Sequence, residues 1–324
     1  MPGHPLRHGV IVISVILLAG CRPQAAPTSK DRFARWQGGG VYSGGIAYQS
    51  GSDCLVASVP TSGRGDLWRI RCDGTSAVPI RRTPESEVDP HFSTPGVVYY
   101  AKFVNNRYTI CCYDVTTQKE TVVVDLNDHA VAPTPLPDGS AILFVRNAKG
   151  APASQGEIWE SSFPGGILRR LTNNYVTDRV GSCFMDSKRV VVCSGGNRVS
   201  IMDLNTLECL FVCEGTLPVL SADERTVFVV RRRTPSYDWD YWSHDLASGV
   251  ERAFPFGKGL VTAVCALPDG KIAAVFCDTV TDNVGQIAIL DSMTGQWSPL
   301  CRILDIPVLG LGSTGKGTMN KGQQ

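Results

Sequence analysis

After the first 21 residues the chain alternates short apolar runs with clusters of Gly, Pro, Asp, Asn and Ser, a pattern that predicts strands joined by turns. One unit, a polar turn followed by an apolar run, recurs as STPG-VVYYAK (93–102), LPDG-SAILFV (136–145), SADE-RTVFVV (221–230) and LPDG-KIAAVF (267–276), with weaker copies at 49–59 and 184–193. A second unit, a strand leading through a tight turn into another strand, recurs at 66–80, 107–123, 157–172, 198–212, 240–254 and 286–300. Aligned on Trp68, Thr109, Trp159, Ser200, Trp242 and Ala288, its copies are spaced by 41, 50, 41, 42 and 46 residues. Two landmarks that keep the same count and nearly the same spacing define a repeat of propeller length.

Each repeat accommodates four antiparallel strands, a sheet too small to hide both of its faces. Packing the copies around an axis buries those faces and leaves only short edges. The expected fold is therefore all-β: a β-propeller spanning 33–309, of six four-stranded blades, with seven as the alternative. A split last blade would seal the ring, its closing strand coming from Phe33–Ala47 or from Arg302–Leu309.

At this point the residues resemble a known family. Gly156-Glu157-Ile158-Trp159, followed by Gly165-Gly166 and Arg169-Arg170-Leu171-Thr172-Asn173, resembles the TolB-type propeller repeat. Asp89-Pro90-His91-Phe92-Ser93 and Pro137-Asp138-Gly139 resemble its other half. The resemblance runs through nearly all of the chain beyond the leader, and the units near 181–213 and 40–83 depart from it most. TolB carries an α/β domain ahead of its propeller, for which this chain is expected to have no room. The resemblance thus implies a fold and a style of binding, not the role of TolB.

The N-terminus has its own pattern. Arg7 precedes an apolar stretch, Val10 to Leu18, which is shorter than the ~20 residues of a spanning helix. Leu18-Ala19-Gly20-Cys21 resembles the lipobox of bacterial lipoproteins. Residues 1–20 then read as a lipoprotein signal peptide and Cys21 as the site of lipid attachment, palmitate included. Residues 21–32, rich in Pro, Ala and Ser, read as a flexible tether. Arg22 stands where many inner-membrane lipoproteins carry Asp. The expected location is the cell envelope, with the outer membrane facing the periplasm favoured and the cell surface possible.

Charge narrows the partners. Lys and Arg total 31 against 30 Asp and Glu, a formal net charge of +1, so no global basic field points to nucleic acid. Of 12 cysteines, eleven follow Cys21, without the Cys-x-x-Cys pairs of a zinc site. Buried free thiols are expected, with one or two disulfides as the alternative and Cys209–Cys213 or Cys54–Cys72 as loose pairs.

Motifs for catalysis are scarce: no Gly-x-Ser-x-Gly elbow and no His-Glu-x-x-His occur. The run Gly310-Leu311-Gly312-Ser313-Thr314-Gly315-Lys316-Gly317 only grazes a phosphate loop, because Gly317 stands where Ser or Thr is required. Residues 310–324 are expected to be a disordered tail. Asp138, Asp223 and Asp269 recur at one turn position and read as turn formers rather than calcium ligands. Trp68, Trp159 and Trp242 recur at one strand position and read as blade packing. No cofactor and no metal are expected.

Binding residues are sought on the longer loops, 146–156, 231–240 and 278–285, which share one face of the disc. The richest carries Arg231, Arg232, Arg233, Tyr237 and Trp239, of the types enriched at binding hot spots. A solvated loop with Trp239 packed on its neighbours is the plainer reading. His91, on an innermost strand, is a candidate for lining the channel. The expected function is a lipid-anchored, non-catalytic and monomeric scaffold for a protein or cell-envelope ligand. A polysaccharide or peptidoglycan hydrolase or lyase, and a small-ligand sensor using the channel, stand as alternatives.

Overall fold

The computed structural model describes residues 45–302, apart from 50–51, 62–63, 94–95, 148–155, 164–165, 175–177, 196, 233–238, 256–259 and 279–281. The signal peptide, Cys21, the tether and the C-terminal tail lie outside the described residues. So do Arg233 and Tyr237.

The described residues form six four-stranded antiparallel sheets. Blade 1 is β1 (Ile46–Gln49), β2 (Cys54–Thr61), β3 (Arg64–Arg71) and β4 (Ala77–Arg81); blade 2 is β5 (Ser86–Phe92), β6 (Val97–Val104), β7 (Arg107–Asp114) and β8 (Lys119–Val124). Blade 3 is β9 (His129–Pro135), β10 (Ala141–Asn147), β11 (Glu157–Ser162) and β12 (Leu168–Arg170); blade 4 is β13 (Asp178–Cys183), β14 (Arg189–Ser194), β15 (Arg198–Asp203) and β16 (Cys209–Glu214). Blade 5 is β17 (Thr216–Leu220), β18 (Thr226–Arg232), β19 (Trp239–Asp245) and β20 (Glu251–Phe254); blade 6 is β21 (Leu260–Ala266), β22 (Lys271–Asp278), β23 (Asp282–Asp291) and β24 (Gln296–Arg302). The fold is a six-bladed β-propeller.

Every sheet is built from four consecutive strands. This corrects the expected split blade: among the described residues no sheet takes a strand from each end of the chain, while 33–44 and 303–309 lie outside them. Residues 46–49, part of which was expected to close the last blade, are instead the innermost strand of the first. Face-to-face packing between blades 6 and 1 closes the ring through Ile46, Leu55 and Trp68 on one side and Ala273, Val275 and Ile287 on the other. Comparable apolar layers fill the other seams, such as Val190, Val192 and Met202 of blade 4 against Leu143 and Ile158 of blade 3.

Two local rules build the blades. The second strand is covered on both faces and is apolar almost throughout: Ala141 to Val145 are all buried. In blades 2, 4, 5 and 6 the turn between third and fourth strands is shaped by an Asp whose carboxylate accepts backbone N–H bonds two and three residues on. Asp114, Asp203, Asp245 and Asp291 each do so, at 2.7–3.1 Å. These bonds hold all four carboxyls below their ordinary range.

Counting back three residues from these turns gives Cys111 in blade 2, where Ser200, Trp242 and Ala288 stand in blades 4 to 6. The sequence alignment placed Thr109 there, two residues short. Blade 2, like blades 4 and 6, lacks the tryptophan that stands at this position in blades 1, 3 and 5. Its second and third strands also meet in a two-residue hairpin, Asn105-Asn106, with both residues at positive φ.

Candidate functional site

The six innermost strands enclose an axial cavity of about 320 Å³. Most of its wall is backbone and small or aliphatic side chains, including Ala47, Pro133, Pro218 and Ala263. Polarity enters mainly from blades 2 and 4, as Asp89, His91, Arg179 and Ser182, with Thr134 and Thr262 from blades 3 and 6. His91, expected in the channel, is there.

A kink in the innermost strands produces this wall. Asp89 in β5, Ala132 in β9 and Leu217 in β17 all have φ near +50°, each directly before a proline, and the pairing register shifts there. The kink turns Asp89 toward the next blade, where it accepts a 3.3 Å hydrogen bond from the Ala132 N–H. Blade 4 repeats the device with Ser182, whose hydroxyl accepts from the Leu220 N–H of blade 5 at 3.1 Å. Gly181 lies at the register shift of β13, where a Cβ would lie 2.6 Å from the Pro218 carbonyl oxygen.

The cavity reshapes its ionisable groups. Burial raises the Asp89 carboxyl to about 7, against the opposing pull of the Ala132 N–H and of Arg179. Burial also lowers the His91 imidazole to about 4, so it is neutral near pH 7. The channel therefore presents a carboxyl raised by burial, a neutral imidazole and a guanidinium. Sequence reasoning found only His91 of these three. Asp89 lay in the quoted Asp-Pro-His-Phe motif, but Arg179 had no motif to mark it.

The other expected binding residues lie away from the axis. Arg231 is held within the fold: its two terminal guanidinium nitrogens engage Glu251 of its own blade, its Nε donates to the Glu214 carbonyl of blade 4 at 2.7 Å, and it stacks 4.8 Å from the Trp242 ring. Arg232 is exposed and Trp239, its strand partner, is half-buried against the core between blades 5 and 6. Trp159 and Trp68 pack in the seams as expected, each beneath an arginine, Arg146 at 4.6 Å and Arg82 at 5.9 Å. Asp138 and Asp223 are turn formers, accepting from Ser140 and from Ser221 and Arg225.

Among the described residues, one group could hold a metal ion: Cys213, His244 and Glu251, with ligand atoms within 4.8 Å of one another. The residues do not fit that role as they stand. The Arg231 guanidinium holds both Glu251 oxygens and keeps that carboxyl down near 2, so a cation already fills the place. The Cys213 thiol is raised by burial, which disfavours the thiolate that a metal requires. Ten cysteines between Cys54 and Cys301 are free thiols. Cys54 pairs with Arg71 across the sheet, so its side chain and that of Cys72 leave on opposite faces.

No family model matches the chain, and no curated protein matches it. Solved structures do. A TolB from Acinetobacter baumannii superposes with a TM-score of 0.63 at 19% identity, over 80% of this chain and 63% of that one. A protein assigned as TolB from Agrobacterium tumefaciens gives 0.64 at 15% identity, over 74% and 89%. An oligogalacturonate lyase from Vibrio parahaemolyticus gives 0.59 at 12% identity, over 81% and 77%. This chain thus spans less than two thirds of the Acinetobacter protein. At these identities the likeness is one of fold alone, and the fold it shows is the β-propeller.

Proposed function

We propose that the chain is a non-catalytic binding scaffold that receives a protein or cell-envelope ligand on the loop face of the disc, at the mouth of its channel. The observation that carries this reading is the channel itself. Asp89, His91 and Arg179 line it together, on a wall otherwise mostly of small and aliphatic side chains with Tyr48 and Phe92, which suits a few oriented polar contacts to an inserted segment. The likeness to TolB propellers supports the same reading. Arg232 and Trp239, flanking 233–238, would add contacts at the rim. Lipid on Cys21 would tether the chain to a membrane, with the outer membrane facing the periplasm favoured.

The test is capture of envelope proteins by the full-length chain against three variants: Asp89→Ala, Arg179→Ala and a deletion of 233–238. The reading expects a defined partner whose binding weakens at least tenfold in one of them. A partner set unchanged in all three would overturn it.

A lyase acting on acidic polysaccharide is the second reading, favoured by Asp89 and His91 standing in one cavity and by the fold shared with the Vibrio lyase. Incubation with oligogalacturonate decides it: formation of unsaturated products that His91→Ala abolishes would replace the first reading, and intact substrate would remove the second.

A further inference from the structure

The seam between blades 1 and 2 holds a cluster of ionisable side chains in which the carboxyls outnumber the cations. Glu120 of β8 is bonded by Arg81 of β4 at 2.9 Å and by Lys102 of β6 at 3.0 Å, and the Tyr100 hydroxyl donates to it as well. Lys102 also lies 3.8 Å from Glu85, and Arg82 lies 3.7 Å from Asp66 of β3. Each of these three carboxylates has a cation, and each cation is taken. The fourth carboxyl is Glu87 of β5, which is fully buried. Its Oε1 accepts from the Thr83 hydroxyl at 2.5 Å and lies 4.0 Å from the Arg81 Nε. Its Oε2 is buried with no hydrogen-bond partner among the described residues.

The backbone at Glu87 is also the joint of the seam. The Ser58 hydroxyl of blade 1 donates to the Glu87 carbonyl at 2.6 Å, and the Gly65 N–H donates to the Ser86 hydroxyl at 3.0 Å. A Cβ on Gly65 would lie 2.5 Å from that same carbonyl oxygen, so blade 1 and β5 meet backbone against backbone. Two residues further on, β5 kinks at Asp89 and brings Asp89 and His91 to the channel wall.

We propose that Glu87 is a proton-operated latch on this seam: protonated, it balances the cluster and β5 stays clamped to blade 1, and ionised, it drives a local opening that lets water reach the carboxylate. A buried carboxylate without a matching cation is costly, and opening the seam relieves that cost. Burial raises the Glu87 carboxyl to about 7, with Asp66 adding to it and Thr83, Arg81 and Lys102 pulling the other way. The open state holds the group nearer its ordinary value of 4.5. The closed seam therefore loses stability as pH rises between those two values, and the loss levels off above them. The latch belongs to the seam and stands whether or not the channel takes a ligand.

Hydrogen exchange of the full-length chain, read by mass spectrometry at about pH 6 and about pH 8.5 and corrected for the intrinsic pH dependence of exchange, tests this. Peptides from 54–71 and 86–92 should lose protection by about tenfold at the higher pH, and peptides from β14 and β15 of blade 4 should lose less. Glu87→Gln and Glu87→Leu both lack the titrating group, and whichever folds should keep the protection at both pH values. Asp89→Asn removes the other carboxyl of β5 that is raised to about 7 and should retain the loss. Equal protection of the parent at the two pH values, a loss that persists in a folded Glu87 variant, or a loss that disappears in Asp89→Asn would overturn the proposal.

Discussion

Arg146 and Arg231 hold one position in blades 3 and 5: each lies two residues beyond the strand partner of its blade's tryptophan and lays its guanidinium on that ring. Arg146 is paired with Asp128 at 2.6 Å, and Arg231 with Glu251. Blade 2 places Lys102 at this position, bonded to Glu120 at 3.0 Å. A cation that covers a seam aromatic and is held by a carboxylate is thus part of how these blades seal.

Arg146→Ala and Arg231→Ala should each destabilise the fold by about 1–2 kcal/mol, the sum of a stacked cation and a partly exposed ion pair. Lys at either position should recover less than half, because an ammonium cannot keep both the planar stack and the fork on the carboxylate. Urea unfolding measures this. Midpoints unchanged in both alanine variants would refute it.

Asp89 and His91 should give the stability profile two opposing slopes. From about pH 4 to 7 native Asp89 keeps a proton that the unfolded chain has lost, so stability falls as pH rises through that window. Glu87, raised by burial to about 7, adds to the same slope. From about pH 6.5 down to 4 the unfolded chain binds a proton that native His91 refuses, so stability falls as pH drops. Asp89→Asn should therefore melt several degrees above the parent at pH 8 and equally with it near pH 4, and His91→Gln should lessen the loss at pH 4.5. Melting curves across this range decide both.

The turn aspartates should be nearly interchangeable. Asp203→Ala and Asp245→Ala each remove an acceptor for two backbone N–H groups at an exposed turn, a loss of about 1 kcal/mol each. They sit in different blades, so the double variant should lose the sum. A double variant no worse than either single one in denaturant titration would show that the turns do not act independently.

Gly181→Ala should cost about 1–3 kcal/mol, since the new methyl meets backbone oxygens of Pro218 and Val191 at 2.6 and 2.9 Å, neither of which can swing aside. Gly139→Ala, at a turn with no atom within 4 Å of the new methyl, meets only the strain of its positive φ. Thermal melts should rank the first variant clearly below the second.

The blade count was legible because turn chemistry and strand patterning recur together, and each apolar run of the first unit became the second strand of a blade. The mode of closure was not. A strand shared between chain ends and a contiguous one carry the same alternation of residues, so nothing in 46–49 announces its partner. The channel was half legible. His91 and Asp89 sit in a motif, but Arg179 reaches the axis beside a register shift in β13 that no motif marks. The bonding of Arg231 was not legible either, because the carboxylate that holds it, Glu251, stands twenty positions on.

Because every sheet is made from one uninterrupted stretch, the order in which the blades are spelled out is separable from the disc they make. A gene cut between blades 3 and 4, near Asn174, with its old ends spliced by a spacer, would still encode the same six sheets in the same circular order. Adding or dropping a whole repeat would likewise leave every remaining sheet intact, which makes this architecture one that can change its size a blade at a time.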